Sequence, residues 1–348
     1  MIFTVNLDAE RLKKIKPFCG TYVDIICVGN FALFCSETGQ SYVQAPMDLI
    51  GVHEQIPNVR ISSDLLFNVM ISGIVKFFIE GSTVEVVFYG TENKQEFKLV
   101  VPRQVSAISA IEKNRLILKS KECLNHSLIP VQRLIRLISK TKSPFIVSEG
   151  FAFMFYKNSY VFQKVELPSF ACDSDLIKKC IALTTQFCFC EDYMVFTSEG
   201  VSVLVHKQKI PNVCDIAYIQ KTKASRVIDV DLSKMTTLVN RLKANDYEVK
   251  VDLDSRFCLV KWDVNRFEIP IKVLGDSNSN QSIDDLLADF NSEEITPNGK
   301  DSSFTIPYWT LRFLDKVSKV KIYVTKRFYL IKVEKVFITV NRGKSNEV

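Results

Sequence analysis

Short runs of alternating apolar and polar residues fill much of the chain, and stretches in which apolar residues recur every three or four positions interrupt them. The alternating runs, such as STVEVVFYG and VKIYVTK, are rich in β-branched and aromatic residues and are broken by Gly, Asn and Asp. This pattern predicts antiparallel strands joined by hairpins. The other stretches carry one apolar stripe each, such as Leu134, Leu137 and Ile138, which predicts short amphipathic helices.

Six helical stretches occur, and two or three predicted strands follow each of them. Their entries contain residues that cap helices, such as Asp8 and Asp173, or a proline such as Pro130, which a first helical turn tolerates. The six windows are 8–17, 62–72, 131–142, 174–184, 232–244 and 307–319. A generic α+β protein could contain such units by chance, but six in succession without a leftover domain favour a true β-α-β-β-β repeat.

Two repeats form a domain of roughly 110 residues, a common domain size. The chain is therefore predicted to have an α+β fold with three domains of two repeats each. The predicted domains are 1–124, 125–222 and 223–348, with connectors near 103–124 and 211–224. The acidic, Ser- and Asn-rich segment 275–300 is expected to be a surface loop of the last domain, with one helical turn around 283–290.

Composition places the chain among ordinary globular proteins. Its 348 residues are 47% hydrophobic and 24% charged, with a net charge of +6. None of the ten cysteines form a Cys-x-x-Cys pair, and the N-terminus does not resemble a signal peptide, so free thiols in a reducing cytoplasm are expected. No apolar run approaches the ~20 residues of a membrane span, so a soluble protein without a membrane partner is predicted.

Positive charge is concentrated on the predicted helices. The six windows contain 16 of the 45 Lys and Arg residues but only 5 of the 39 Asp and Glu residues, which leaves 29 basic and 34 acidic residues elsewhere. The second window carries no cation. Any one basic helix could simply be a solvated surface. Five basic helices against an acidic remainder indicate a protein with one surface near a polyanion.

Within a helix the cations share a face that differs from the apolar stripe. Residues three, four or seven apart lie on the same side of a helix. The sets with this spacing are Arg11 and Lys14; Arg133, Arg136 and Lys140; Lys234 and Arg241; and Arg312, Lys316 and Lys319.

No catalytic signature is found. The chain lacks a phosphate-binding Gly-x-x-x-x-Gly-Lys-[Ser/Thr] loop, so it does not resemble an ATP-driven loader. His53, His126 and His206 have no nearby metal-ligand pattern. Asp284 and Asp285 lie in the acidic segment, a poor setting for two-metal catalysis. A protein that is not an enzyme, with no cofactor and no metal, is predicted.

The repeat, the short helices and their cationic faces resemble DNA sliding clamps. The best local matches are VRISSDLLFNVMISGIVKFFIEGSTVEVVFYGTENKQEFKLVVP (59–102) and SFTIPYWTLRFLDKVSKVKIYVTKRFYLIKVEKVFITVNRG (303–343), which are similar to the second half of a clamp domain. The resemblance covers nearly the whole chain but is one of pattern. Three domains per chain are similar to bacterial clamps, and the Asn-, Lys-, Ile- and Phe-rich composition suggests a phage or viral version.

The resemblance implies a head-to-tail homodimer ring with the helices inside, the sheets outside and duplex DNA threaded through without sequence readout. It implies a processivity factor for a DNA polymerase, assembled by an ATP-dependent clamp loader, in the cytoplasm (the bacterial host's, if phage-encoded). The residues it implies to be DNA-facing are Arg11, Lys14, Arg133, Arg136, Lys140, Lys178, Lys179, Lys234, Arg241, Arg312, Lys316 and Lys319.

Clamps also bind short peptides of their partners beneath an interdomain connector. By this resemblance the segment 211–221 is the candidate pocket wall, with Val213, Ile216 and Tyr218. The C-terminus RGKSNEV lacks the apolar ending of bacterial clamps, which puts their pocket in doubt here. Two other functions stay open: a non-ring processivity or transcription accessory factor with the clamp fold, and a β-rich adaptor with no role on DNA.

Overall fold

A computed structural model of the protein describes most of the chain. The described residues are 2–51, 58–69, 73–80, 83–90, 96–102, 108–137, 143–156, 159–210, 218–219, 221–234, 248–252, 256–262, 265–278, 282–283, 303–307 and 319–341. They belong to two compact units, which are described separately. The first unit consists of Met1–Gln132 and Cys172–Gln208, and the second of Arg133–Ala171 and Lys209–Val348.

The helices that lie wholly within the described residues are few and short. They are α1 (Ala9–Ile15), α2 (Ser63–Val69), α3 (Ile108–Ser120), α4 (Gln132–Leu137) and α5 (Ser174–Leu183), with 3-10 turns at Lys16–Phe18 and Ile129–Val131.

Strands make up most of the described chain. They are β1 (Ile2–Leu7), β2 (Tyr22–Val28), β3 (Phe31–Glu37), β4 (Ser41–Ile50), β5 (Val59–Ser62), β6 (Gly73–Glu80), β7 (Thr83–Gly90), β8 (Glu96–Pro102), β9 (Asn125–Ser127), β10 (Phe145–Ser148), β11 (Phe151–Tyr156), β12 (Ser159–Lys164), β13 (Phe170–Cys172), β14 (Gln186–Cys190), β15 (Tyr193–Ser198), β16 (Val201–His206), β17 (Arg226–Asp231), β18 (Glu248–Asp252), β19 (Phe257–Trp262), β20 (Asn265–Pro270), β21 (Lys272–Asn278), β22 (Ser303–Pro307), β23 (Lys319–Val324), β24 (Phe328–Val333) and β25 (Val336–Asn341).

The strands form three antiparallel sheets. The first unit contains a twelve-stranded sheet in the order β8-β7-β6-β1-β4-β16-β15-β14-β9, in which β3 also pairs with β4, β2 with β3, and β5 with β2. The second unit contains a nine-stranded sheet, β13-β10-β11-β12-β25-β24-β23-β17-β21, and a four-stranded sheet, β20-β19-β18-β22.

The predicted repeat is visible in the element order. Both repeats of the first predicted domain read β-α-β-β-β, as β1-α1-β2-β3-β4 and β5-α2-β6-β7-β8. The second predicted domain follows with β9-α4-β10-β11-β12 and β13-α5-β14-β15-β16. In the third predicted domain the strands are described, but most of windows 232–244 and 307–319 lies outside the described residues. The three-domain boundaries themselves stay a prediction.

Burial follows the sequence pattern. In α1 Leu12 and Ile15 are buried, and in α5 Leu176, Ile177 and Ile181 are buried, so each helix has one apolar stripe on its sheet. Asp8 and Asp173 cap these helices as predicted, by accepting hydrogen bonds from backbone N–H groups of the first turn. The spacing of apolar residues in the sequence therefore correctly predicted which side of α1 and of α5 is buried.

Helix α3 is an element that the sequence pattern missed, because it lies in the predicted connector 103–124. Its apolar residues are divided between two faces: Ala110 and Ile117 are buried, whereas Ile111 and Leu118 are exposed. An amphipathic helix is recognised in a sequence by a single apolar stripe, and this stripe is hard to detect when the apolar residues lie on two faces. The connector is thus partly a helix of 13 residues that packs on β14 and β16.

Two further boundaries were predicted wrongly. Lys319 does not end a helix but begins β23, where it pairs across the sheet with Asp231. Its exposed–buried alternation with Val320, Lys321 and Ile322 has the period of a strand. Gly275–Asn278 belong to β21 and pair with β17, so the predicted loop 275–300 begins later than expected.

Candidate nucleic-acid interface

The described cations with a predicted role in DNA binding lie mainly on α1 and α5 of the first unit. Helix α1 packs on β4, and the N–H of its capping residue Asp8 contacts the Met47 sulfur at 3.4 Å. Helix α5 contacts the 3-10 turn Lys16–Phe18 that continues α1. The two helices are therefore neighbours, and their cations belong to one surface.

Helix α3 covers the opposite face of the same sheet. Its Ala110 and Ile117 pack in a cluster with Tyr42 of β4. Tyr42 and Met47 are five residues apart on β4, and successive side chains of a strand point to opposite faces. Helices α1 and α3 thus lie on opposite faces, so the surface with α1 and α5 is distinct from the surface with α3.

Arg11 is held by the protein rather than extended into solvent. Its Nη1 donates to the Pro46 carbonyl at 2.8 Å, and its Nε lies 3.2 Å from an Asp8 carboxylate oxygen. The guanidinium also lies against Gly200, where an added Cβ would be 3.4 Å from it. Arg11 therefore links α1 to β4 and to the β15–β16 turn, and its charge is partly neutralised.

Lys14 is paired with Glu199, which lies in the two-residue turn between β15 and β16. Glu199 and Gly200 both have positive φ, 49° and 82°. This conformation matches a type I′ hairpin turn, whose twist suits the flanking strands. The turn presents the Glu199 carboxylate to α1, so it reduces the positive charge that Lys14 adds to the surface.

Lys178 and Lys179 are exposed on α5, opposite the buried stripe. Within the described ranges no carboxylate forms an ion pair with either side chain. The Asp173 cap fixes the start of the helix and thereby the direction in which both lysines point. They are the cations of this surface that the protein leaves most available to an anion.

Two cations of this surface, Lys13 and Lys16, were not singled out from the sequence. Lys13 is exposed and pairs with Glu10 at 3.1 Å. Lys16 is exposed and lies over the Phe67 ring of α2, with Nζ 5.7 Å from the ring centroid. It belongs to the 3-10 turn that contacts α5, so it lies close to three helices. In the sequence Lys16 follows Lys14 by two residues and lies off the helical face that Arg11 and Lys14 share, so the sequence did not indicate this position.

The remaining candidates are only partly described. Lys234 is exposed and directly follows Ser233, whose backbone N–H donates to the Asp231 carboxylate at 2.9 Å. Hydrogen bonds from Ser233 hold the pKa of Asp231 below its usual value. Arg133 and Arg136 lie on α4, but their side chains are not described. The candidates outside the described residues are Lys140, Arg241, Arg312 and Lys316.

Tyr218, the described member of the predicted peptide-binding wall, is 46% exposed and lines a cavity of about 550 Å³ in the second unit. Val213 and Ile216 lie outside the described residues. The Arg327 guanidinium lies 5.5 Å from the Tyr218 ring centroid. The other residues of the cavity are Lys221, Thr222, Lys223, Ala224, Ser225 and Lys326. Among the described residues the lining contains four cations and no acidic residue, so this part of the cavity suits a ligand that carries negative charge.

Across the described ranges, no group of three or more His, Cys, Asp or Glu side chains could hold a metal ion. No helix in the same part of the chain is both long and apolar enough to span a membrane.

No protein-family model and no curated protein sequence matches the chain. Three solved structures have a similar fold. One is a putative DNA polymerase III beta subunit from Eubacterium rectale, with 10% sequence identity and a TM-score of 0.68. The others are a DNA polymerase III beta chain from Streptococcus pneumoniae, with 12% identity and a TM-score of 0.66, and a DNA polymerase sliding clamp from Pseudomonas aeruginosa, with 9% identity and a TM-score of 0.64. The matches cover 98%, 99% and 99% of this chain and 100%, 100% and 99% of the others. The predicted α+β class, with antiparallel sheets and few helices, is confirmed.

Proposed function

We propose that this chain, which has the sliding-clamp fold, is a processivity factor that encircles duplex DNA and tethers a DNA polymerase to it. The observation that carries the proposal is the match of nearly the entire chain to entire beta subunits, without a leftover domain. The proposed role is topological and requires neither a catalytic residue nor a cofactor. Likeness of fold alone does not assign function, so the site must support it.

Ring closure is supported by a pairing rule within the chain. In the first unit β4, the last strand of a first repeat, pairs with β16, the last strand of a second repeat. In the second unit β12, again the last strand of a first repeat, pairs with β25, the last strand of a second repeat. Each pairing continues a sheet across a predicted domain boundary.

A third pairing of this kind would require a second chain. Strand β8 ends the second repeat of the first predicted domain, and β20 ends the four-stranded sheet; in the described part of the chain each is an outer strand. The β4 segment that pairs with β16 reads SYVQ and is followed within β4 by Ala-Pro, and β20 similarly reads NRFE followed within the strand by Ile-Pro. Pairing of β8 with β20 of another copy, twice, closes a head-to-tail homodimer.

The surface with α1 and α5 supplies the contact with DNA in this proposal. Exposed lysines on flexible stems attract phosphates without fixing the register of the duplex, and no base edges need to be read. The candidates on the other predicted helices complete the lining of the ring.

Partners follow from the same proposal. A polymerase that inserts one of its own peptides into the cavity beside Tyr218 is held on the DNA by the closed ring, which raises its overall affinity for DNA. An ATP-dependent clamp loader opens the homodimer, and the protein acts in the cytoplasm, that of a bacterial host if a phage encodes it.

The mass of the protein in solution tests ring closure and separates it from the non-ring alternative. Gel filtration with light scattering is expected to give a species of twice 39.7 kDa. A monomer at micromolar concentration would favour the non-ring accessory factor instead.

The Lys14–Glu199 pair leads to a prediction about DNA affinity. Glu199→Gln removes the carboxylate that competes with phosphate for Lys14, so binding to duplex DNA at low salt should tighten about threefold, in line with the ~0–1 kcal/mol of an exposed ion pair. The change is measured by fluorescence anisotropy with a short duplex.

Glu191→Gln is the matched control. Glu191 also lies in a hairpin turn at positive φ and pairs with a lysine, Lys119 of α3, at 3.0 Å. Because α3 lies on the other face of the sheet, this variant should bind DNA like the wild type. An equal gain in DNA affinity in both variants would mean that only the net charge of the protein sets this affinity and that Lys14 makes no specific contribution.

A further inference from the structure

Two cysteines from distant parts of the first unit face each other at the end of α3. In the β9–β14 pair Ser127 lies opposite Gln186, His126 opposite Phe187 and Asn125 opposite Cys188. Cys123 lies two residues before Asn125, in the turn that follows α3, where its N–H donates to the Ser120 carbonyl at 3.1 Å. Cys190 lies two residues after Cys188, at the end of β14. Both side chains pack in the same apolar cluster, to which Ala110 and Ile117 of α3 also belong.

The packing around the two thiols brings them close together. Cys123 and Cys190 contact the same apolar cluster, which also contains Cys188 of β14 and Ile117 of α3. The Cys123 side chain is a hydrogen-bond partner of the Cys190 thiol. Two neighbouring thiols on adjacent segments of the chain are the arrangement from which a disulfide forms.

Hydrogen bonds and an ion pair already hold the end of α3 beside the two thiols. The Cys123 thiol lies 3.7 Å from the Lys119 carbonyl, and the Cys188 thiol lies 3.3 Å from the Ser120 carbonyl. The Lys119 ammonium pairs with Glu191 at 3.0 Å, next to Cys190 in the chain. These contacts hold the end of α3 against β14, beside Cys123 and Cys190, without a covalent bond.

The two thiols differ in access to solvent. Cys123 is partly exposed, whereas Cys190 is buried. Burial raises the pKa of Cys190, the neighbouring Cys123 raises it further, and the Lys119 ammonium opposes both effects. Cys123 is therefore the thiol that a solute reaches first, and Cys190 is its resolving partner.

We propose that Cys123 and Cys190 are a redox modification site that hydrogen peroxide converts to a disulfide. The Cys123 sulfur attacks the peroxide oxygen, the O–O bond breaks, and Cys123 sulfenic acid and one water form. The Cys190 sulfur then displaces the hydroxyl group, which leaves as a second water with the Cys190 proton. The two thiols lose two electrons and the peroxide gains them. A thiol reductant restores both cysteines.

The disulfide would tie α3 to β14 at the base of the connector between the first and second predicted domains. In the reduced protein α3 is held there by packing and by the Lys119–Glu191 pair. Oxidation would make this attachment covalent without displacing the helix, because both side chains already pack in one cluster. The proposal does not depend on the binding of DNA.

Peptide mapping of the full-length protein tests it. The protein is treated with hydrogen peroxide, remaining thiols are alkylated, and the non-reduced digest is analysed by mass spectrometry. A peptide that links Cys123 to Cys190, lighter by two hydrogen atoms than the sum of its parts and lost after reduction, is the expected result. Hydrogen exchange at the C-terminal turn of α3 should slow at least several-fold in the oxidised protein.

Two single variants serve as controls. Cys123→Ser should abolish the linked peptide, whereas Cys188→Ser, which removes the neighbouring thiol on the same face, should keep it. Linkage of Cys123 to Cys188, linkage between chains, or oxidation of Cys123 beyond the sulfenic acid while Cys190 stays alkylatable would overturn the proposal. Mapping of the wild-type protein decides the matter even if a variant folds poorly.

Discussion

Replacement of Glu268 by proline is expected to yield a monomer that no longer stays on circular DNA. Ile271 N donates to the Arg256 carbonyl at 2.9 Å, so by alternation the N–H of Glu268 points away from β19, toward the open edge of β20. Proline there leaves the β19–β20 bonds intact but removes a donor needed by β8 of a second chain. Loss of that bond, which leaves an acceptor of β8 unpaired, should weaken association by ~1–3 kcal/mol, roughly 5- to 150-fold, at each junction.

Glu268→Ala is the matched variant, since it removes the same exposed side chain and keeps the N–H. It should remain a dimer by light scattering, while both variants should melt close to the wild type. A dimeric Glu268→Pro protein would show that β20 is not the closing edge. A Glu268→Ala monomer would instead assign the junction to side-chain contacts.

Reversal of charge at Lys178 and Lys179 is expected to weaken DNA binding by at least about tenfold at low salt. Each phosphate neutralised by a cation contributes ~0.9 to the slope of log affinity against log salt concentration. Loss of both contacts should therefore reduce the slope by about 1.8 per chain. The measurement is a salt titration of binding to a short duplex, with Lys178→Glu and Lys179→Glu combined.

The control for this variant uses the opposite face of the sheet. Arg115 and Lys121 are exposed on and just after α3, so Arg115→Glu with Lys121→Glu makes the same change in net charge. Its salt slope should match that of the wild type. If both double variants lose affinity to the same extent, the attraction is one of overall charge and not of the surface with α1 and α5.

Local features of the fold could be predicted from the sequence because local rules decide them. Capping by Asp8 and Asp173 depends on one side chain and the first helical turn. The strands and the repeat follow from an alternation that has the same period in every copy. The same local reasoning failed at α3, where apolar residues on two faces hide the stripe.

Contacts between distant residues could not be predicted in this way. The cations of α1 were identified, but their neutralisation was not, because Glu199 is 185 residues from Lys14. Nothing near Arg11 in the sequence indicates the Pro46 carbonyl, 35 residues away, that holds its guanidinium. The surface consequently has fewer available cations than the count of basic residues suggested, and Lys178 and Lys179 carry more of the proposed function.

Retention on DNA of defined topology tests the closed ring most directly. The protein is diluted until the dimer dissociates and is then concentrated with a nicked circular plasmid, so that rings can close around the DNA without a loader. Gel filtration at high salt, where phosphate contacts are screened, should show protein that co-elutes with the circle and is released once a restriction enzyme linearises it. Protein that stays bound after linearisation, or a dimer never retained on the circle, would contradict encirclement.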